Sequence, residues 1–123
     1  MQDLTRLLAV LADPTRLRLV RLLLRQELCV CEMMDALQMP QYKISRHLRR
    51  MRAVGLVEAR RRGRWMHYQI GRQLRPGGGH RELLVALEGN LTRLPEARRD
   101  DVRLTKRLAL RRAGECVVGK STR

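Results

Sequence analysis

The sequence predicts a mainly α-helical fold with one small β-hairpin, an α+β class. Apolar residues recur at the spacing of amphipathic helices along most of the 123-residue chain. The spacing changes to alternation over residues 56–70, and two short helical segments lie close together over residues 28–54. Two such helices form a helix-turn-helix, and a hairpin after them completes a winged helix-turn-helix.

Two helices precede this unit. Four leucines of the first dozen residues share one helical face: Leu4, Leu7, Leu8 and Leu11. Asp13 then supplies an N-cap and Pro14 a favourable first helical position. These signals predict a second helix from Pro14 to about Arg25.

The helix-turn-helix itself consists of a segment from Val30 to Leu37 and a longer one from Gln41 to Ala53. Pro40 ends the first segment, and Gly55 suits the left-handed backbone that often closes a helix. The second segment is the recognition helix, whose N-terminal half enters the DNA major groove in proteins of this fold.

The hairpin follows, with strands predicted over residues 56–61 and 65–70 around Arg62-Gly63-Arg64. After a breaker at residues 76–79, one more helix carries four leucines on a stripe: Leu83, Leu84, Leu87 and Leu91. Pro95 ends it. We divide the chain into 1–94, the winged unit with its dimerisation helices, and 95–123, a basic extension predicted as a helix over 96–113 and a frayed tail.

Composition indicates a polyanionic partner. Lys and Arg number 27 against 12 Asp and Glu, a formal net charge of +15, while 44% of residues are hydrophobic. That hydrophobic share excludes a disordered basic tail, and 2% aromatics exclude base stacking as the main binding mode. No apolar run approaches the ~20 residues of a membrane span. Three cysteines, two of them two residues apart, fit a reducing cytoplasm better than a disulfide framework.

Candidate DNA-binding residues fall in two places. Those of the recognition helix are Gln41, Lys43, Ser45, Arg46 and Arg49; those of the hairpin tip, the wing, are Arg61, Arg62 and Arg64. Gln and Arg read base edges in the major groove, while Lys, Ser and the wing arginines suit phosphates or the minor groove. The alternative is a solvated basic face. His47 either touches a phosphate or packs beside the apolar stripe.

Cys29 and Cys31 are candidate ligands for a soft, thiophilic ion because thiolates select such ions. Both are predicted at the start of a helix, where the dipole favours thiolates. In an intact helix, however, two residues at this spacing point about 200° apart. Chelation of one ion would therefore require the first turn to unwind. Two buried structural cysteines are the alternative that spacing alone leaves open.

The chain is predicted not to be an enzyme. It lacks HExxH, GxGxxG, GxSxG and CxxC motifs. Glu32 and Asp35 share one short helix without a histidine partner, so no catalytic constellation is present.

Four stretches in order resemble the ArsR/SmtB family of winged-helix metalloregulators, and within it the arsenic-responsive repressors. They are Leu11–Leu17, Glu27–Glu32, Lys43–Leu48, and Gly55–Val57 with Gly63–Tyr68. The resemblance covers residues 4 to about 72. It implies a homodimer that binds double-stranded operator DNA and is released when As(III) or Sb(III), the inducer, binds Cys29 and Cys31. It implies no organic cofactor.

The chain departs from the family in three respects. Pro40 stands where a Ser often precedes the recognition helix. The helix after the wing lacks the Asp and His ligands of zinc-sensing members. As(III) prefers three thiolates, and Cys116, the remaining thiol, is a candidate third ligand that lies outside the resemblance. Two alternatives remain: the same repressor sensing another thiophilic metal or oxidants, and a sequence-nonspecific basic nucleic-acid-binding protein.

Overall fold

The computed structural model of the protein describes residues 1–112; residues 113–123, which include Cys116, lie outside the described residues. The helices are α1 (Gln2–Leu11), α2 (Pro14–Leu23), α3 (Val30–Leu37), α4 (Gln41–Ala53), α5 (Arg81–Leu91) and α6 (Pro95–Leu108). The strands are β1 (Leu28–Cys29), β2 (Val57–Arg62) and β3 (Trp65–Ile70), and one 3-10 turn covers Arg72–Leu74. The predicted winged helix-turn-helix is confirmed.

Local signals explain where the helices begin. The side chain of Asp13 accepts a hydrogen bond from the backbone N–H of Arg16 at 3.0 Å, which caps α2, and Pro14 takes its first position. Both α3 and α4 have the bounds that the sequence predicts. The second helix ends at Leu23 rather than Arg25, a difference of the size that frayed helix ends produce.

The three strands form one antiparallel sheet in the order β1-β3-β2. Arg62 pairs with Trp65 across a two-residue turn, in which Gly63 adopts a φ of +62° that other residues rarely accept. The sequence did not predict β1, because two residues are too few to display an alternating pattern. This strand pairs Leu28 with Tyr68 and Cys29 with His67.

The core lies between the helices and one face of the sheet. The buried stripe of α4, Ile44, Leu48 and Met51, packs on fully buried Leu19 and Leu22 of α2. This packing fixes which side of α4 faces solvent. Among residues 1–112, no helix has the length and apolar character needed to cross a membrane.

The last helix, α6, packs on α2 and α3 through a set of ion pairs. Arg18 of α2 donates two hydrogen bonds to the fully buried Asp100, at 2.9 and 2.7 Å. Arg107 contacts Asp35 of α3 at 2.9 Å, and Arg103 donates to the carbonyl of Ala36 at 2.8 Å. The C-terminal extension, residues 95–123, thus adds a helix that packs against α3. The division of the chain at residue 94 into a winged unit and an extension stays a prediction.

Candidate functional site

The recognition helix α4 presents a basic, polar face to solvent. Ser45 is half-buried. The other four candidate DNA-binding residues of this helix are exposed: Gln41, Lys43, Arg46 and Arg49. Pro40, at the N-cap, has no side-chain cap, and its carbonyl accepts the backbone N–H of Ile44 at 3.3 Å. The structure therefore leaves all five residues on the solvent side of α4, with Gln41 and Ser45 towards one flank and Lys43 and Arg46 towards the other.

Tyr42 is a candidate contact residue that the sequence reasoning missed. Its side chain is 61% exposed, and the guanidinium of Arg46 lies 5.8 Å from the centre of its ring. This cation–π geometry orients Arg46, one turn further along the helix. The signal was present in the sequence, because Tyr42 lies off the apolar stripe at the second position of the recognition helix.

The wing arginines divide into two groups. Arg61 and Arg64 are exposed. Arg60 is also exposed, but like the half-buried Arg62 it contacts the carboxylate of Glu27, at 3.1 and 3.0 Å respectively. These contacts direct both guanidinium groups towards Glu27. Arg61 and Arg64 are accordingly the wing residues best placed to reach DNA.

The cysteine pair lies at the start of α3, with Cys29 just outside the helix and Cys31 within it. Cys29 is not in a helix: it ends β1 and caps α3 with an extended backbone, φ −86° and ψ 165°. Cys31 is the second residue of α3 and is half-buried, whereas Cys29 is 1% exposed. The 200° divergence expected of two helical residues therefore does not apply. Both cysteines do lie at the start of α3; what fails is the angle of about 200°, which assumed two residues inside an intact helix, whereas Cys29 is the N-cap and ends β1.

Both cysteines line one cavity together with the recognition helix. The cavity has a volume of about 290 Å³ and lies between α3, α4 and β3. Its lining residues are Cys29, Val30, Cys31, Gln41, Ser45, Trp65, Met66 and Tyr68. Two predicted sites, the thiol pair and the groove-reading face of α4, thus share one space.

A reciprocal pair of hydrogen bonds fixes the first turn of α3. The backbone N–H of Cys29 donates to Glu32 at 3.0 Å, and the side chain of Cys29 accepts the backbone N–H of Glu32. Glu32 is fully buried and accepts two hydrogen bonds from Arg111, both at 2.6 Å. Burial opposes ionisation of Glu32, but the hydrogen bonds from Arg111 and Cys29 hold its pKa below the ordinary value.

His67 lies beside this turn, opposite Cys29 in the sheet. Its Nδ1 atom is buried, 3.6 Å from Oε1 of Glu27, and has no hydrogen-bond partner among residues 1–112. Burial lowers the pKa of His67 and outweighs the nearby carboxylates of Glu27 and Glu32. Across the described part of the chain, no group of three or more His, Cys, Asp or Glu side chains is placed to hold a metal ion. Cys116 falls outside that part.

The fold and the exposed basic helix define a class of protein, the winged helix-turn-helix regulators. The family described as "Bacterial regulatory protein, arsR family" matches residues 13–59. The arsenic resistance transcriptional regulator ArsR2 of Pseudomonas putida is 44% identical over 81 residues, which are 65% of this chain and 70% of that protein. The chain therefore belongs to the ArsR family. The family predicted from the sequence is confirmed, and the relatives that match are transcriptional regulators rather than enzymes.

Other comparisons agree on the family and the fold. The arsenical resistance operon repressor of Escherichia coli K12 is 49% identical over 65 residues, 52% of this chain and 56% of that protein. The homodimeric winged helix-turn-helix DNA-binding domain Mb0332 of Mycobacterium bovis superposes with a TM-score of 0.57 at 28% identity, over 74% of this chain and 76% of that one. The aligned segments span 48% to 70% of the first three curated relatives.

Proposed function

We propose that this protein is a homodimeric repressor that binds operator DNA in the cytoplasm and is released when As(III) or Sb(III) binds Cys29 and Cys31. The observation that carries the proposal is the cavity that both cysteines share with Gln41 and Ser45 of the recognition helix. A ligand held by the thiols occupies the space against which the groove-reading end of α4 rests. Inducer binding and DNA binding then compete for the position of one helix.

The donor set fits a thiophilic ion. Two cysteines line one cavity next to a helix N-terminus, which favours negative charge on their thiols. Metalloids of this kind select soft thiolate ligands over the oxygen donors that surround the site. Cys116 is proposed as the third ligand, supplied by the same or the partner subunit; water or a small thiol completes the set otherwise.

Dimerisation is proposed through α1 and α5. Leu8 of α1 is 43% exposed and Val85 of α5 is 48% exposed, although both belong to apolar-rich helices. Burying such side chains against a second copy would remove them from water. A dimer also presents two α4 helices to successive major grooves of a pseudo-palindromic site. Sedimentation at micromolar concentration should give a dimer, and a stable folded monomer would contradict this part of the proposal.

A gel shift on the DNA upstream of the protein's own gene, with and without arsenite, tests the whole proposal. We expect preferential binding to that DNA over a scrambled duplex, and release by arsenite. Cys29→Ser and Cys31→Ser are the matched variants, because a hydroxyl has nearly the size of a thiol but is a hard and weak ligand. Binding that arsenite leaves unchanged would refute the inducer, while the DNA-binding part would stand.

A sequence-nonspecific nucleic-acid-binding protein is the second candidate, favoured by the net charge of +15. It predicts equal affinity for the upstream DNA and for the scrambled duplex. The two functions are therefore separated by the same gel shift before any arsenite is added.

A further inference from the structure

A second cleft lies on the flank of α4 that faces away from the cysteine cavity. Its volume is about 350 Å³, and it separates α4 from the start of α2. Four permanent cations line it, one from α2 and three from α4: Arg16, Lys43, Arg46 and Arg50. At about 100° per residue, the three α4 residues lie roughly opposite Gln41 and Ser45. The recognition helix is therefore flanked by a thiol cavity on one side and a cationic cleft on the other.

Arg16 is held in this cleft by side-chain contacts to two other helices, α1 and α4. Its Nε atom donates to the carbonyl of Val10 in α1, and one terminal nitrogen contacts Nδ1 of His47 in α4 at 3.2 Å. The other terminal nitrogen has no hydrogen-bond partner within the described chain. The guanidinium is thus fixed in direction while part of its donor capacity stays unused.

Two other polar groups that line the cleft, a carboxylate and a histidine, are already engaged in contacts within the protein. Asp13 is the one carboxylate among the lining residues, and its side chain already caps α2 through the backbone N–H of Arg16. His47 accepts from Arg16 on Nδ1, because arginine can only donate, so its neutral ring carries the proton on Nε2. Burial, the largest cause, lowers the pKa of His47, which agrees with a neutral ring. The cleft is therefore a set of donors with an excess of positive charge.

We infer that this cleft binds a phosphate of the DNA backbone, with Arg16 and Arg50 as ligands that clamp the duplex beside α4. The inference rests on the duplex binding of the proposed function and is independent of the inducer. A helix in the major groove has a phosphate backbone on each side, and a phosphate accepts several charge-assisted hydrogen bonds at once. Arg16 belongs to α2, outside the inserted helix, so a backbone group suits its position better than a base edge.

The salt dependence of DNA binding tests the clamp. Arg50→Gln is the main variant, because Arg50 is exposed on α4 and its loss leaves the core intact. Each lost phosphate contact should reduce the slope of log affinity against log salt by about 0.9 per protomer. Between 50 and 200 mM salt that is about a 3- to 4-fold smaller fall in affinity per contact. Preference among base sequences should not change.

Two further variants keep the test specific. Arg16→Gln should give the same loss of slope, with its folding checked by circular dichroism because Arg16 also contacts α1 and α4. Arg98→Gln is the control: Arg98 is an exposed arginine on α6, outside the cleft, and its loss should leave the slope unchanged. An unchanged slope in Arg50→Gln, or a change in base preference without a change in slope, would overturn the inference.

Neutral methylphosphonates placed singly along the bound duplex locate the contact. In the wild type, one position per half-site should weaken binding by at least about 3-fold. The same position should have little effect in Arg50→Gln and its full effect in Arg98→Gln. If the wild type prefers no sequence, the proposed repressor function fails, yet salt slopes on a scrambled duplex still decide whether the cleft holds a phosphate.

Discussion

Replacement of Glu32 by Gln tests how the first turn of α3 is held. The carboxylate is fully buried and accepts two hydrogen bonds from Arg111 and one from the backbone N–H of Cys29. Gln keeps the shape but removes the charge that Arg111 faces. Hydrogen bonds to a charged group contribute about 1.5–3 kcal/mol, and a buried charge that loses its partner adds a further cost. Because the side chain of Arg111 is 18% exposed, water screens part of that cost. We expect a loss of about 2–3 kcal/mol in the free energy of unfolding at pH 7.

This loss should depend on pH in one direction. The pKa of Glu32 in the folded protein lies below its ordinary value of 4.5. Such a carboxyl contributes stability that is complete above the unfolded pKa and is lost as pH falls through the folded pKa. The difference in stability between the wild type and Glu32→Gln should therefore be constant from pH 7 to about 5 and should narrow below about 4.5.

Urea unfolding followed by circular dichroism at several pH values measures both effects. Glu82→Gln is the control, because Glu82 is an exposed carboxylate in the first turn of α5, and its loss should cost less than about 1 kcal/mol. A difference below about 0.5 kcal/mol for Glu32→Gln at pH 7 would refute the energetic reasoning. A difference that stays constant between pH 5 and 3.5 would refute the assigned ionisation state.

Three further predictions concern the thiols, the wing and the buried histidine. Cys29→Ser and Cys31→Ser should each leave operator affinity nearly unchanged and abolish release by arsenite in a gel shift; continued release from the double variant would place the sensor elsewhere. Arg64→Ala should weaken binding to all duplexes alike and reduce the salt slope by about 0.9 per protomer. Arg62→Ala should reduce DNA affinity less than Arg64→Ala does, since Arg62 contacts Glu27. A larger loss of affinity in Arg62→Ala would contradict the geometry of the wing. Burial lowers the pKa of His67 below 6.5. The free energy of unfolding should therefore be highest above pH 6.5 and fall as the pH drops below it, because the unfolded chain then binds a proton more readily. Urea unfolding of His67→Gln should show a smaller fall.

Features set by near neighbours in the chain were predictable from the sequence. The bounds of α3 and α4 follow from Pro40 and a stripe of apolar residues, and both agree with the prediction. The first strand of the hairpin is shifted by one residue, to Val57–Arg62, because the observed turn has two residues rather than three. Alternation alone does not fix where such a strand starts.

Contacts between distant segments were not predictable. The ion pairs of α6 join residues about 70 to 80 positions apart, as with Arg107 and Asp35, and in a chain with 27 basic residues many pairings satisfy the same charges. The short strand β1 was missed for a related reason, since its two residues are defined only by their pairing with β3. The extended backbone of Cys29 belongs to that strand, so the angle of about 200° expected of two helical residues failed for the same reason.

The position of Cys29 changes what the proposed release must accomplish. Cys29 belongs at once to β1, which pairs with the wing strand β3, and to the N-cap of α3, which borders the cavity beside α4. A ligand bound to its sulfur displaces the hydrogen bond that the thiol accepts from the backbone N–H of Glu32. Loss of an oxygen cap costs about 0.5–2 kcal/mol, and a thiol is a weaker acceptor, so loss of this cap belongs at the low end of that range, near the low end of a typical coupling free energy of about 1–3 kcal/mol between two sites. The proposed release therefore would not require α3 to unwind, because loss of this one cap would disturb both elements that are proposed to contact DNA. By reciprocity, operator DNA would weaken inducer binding by the same factor.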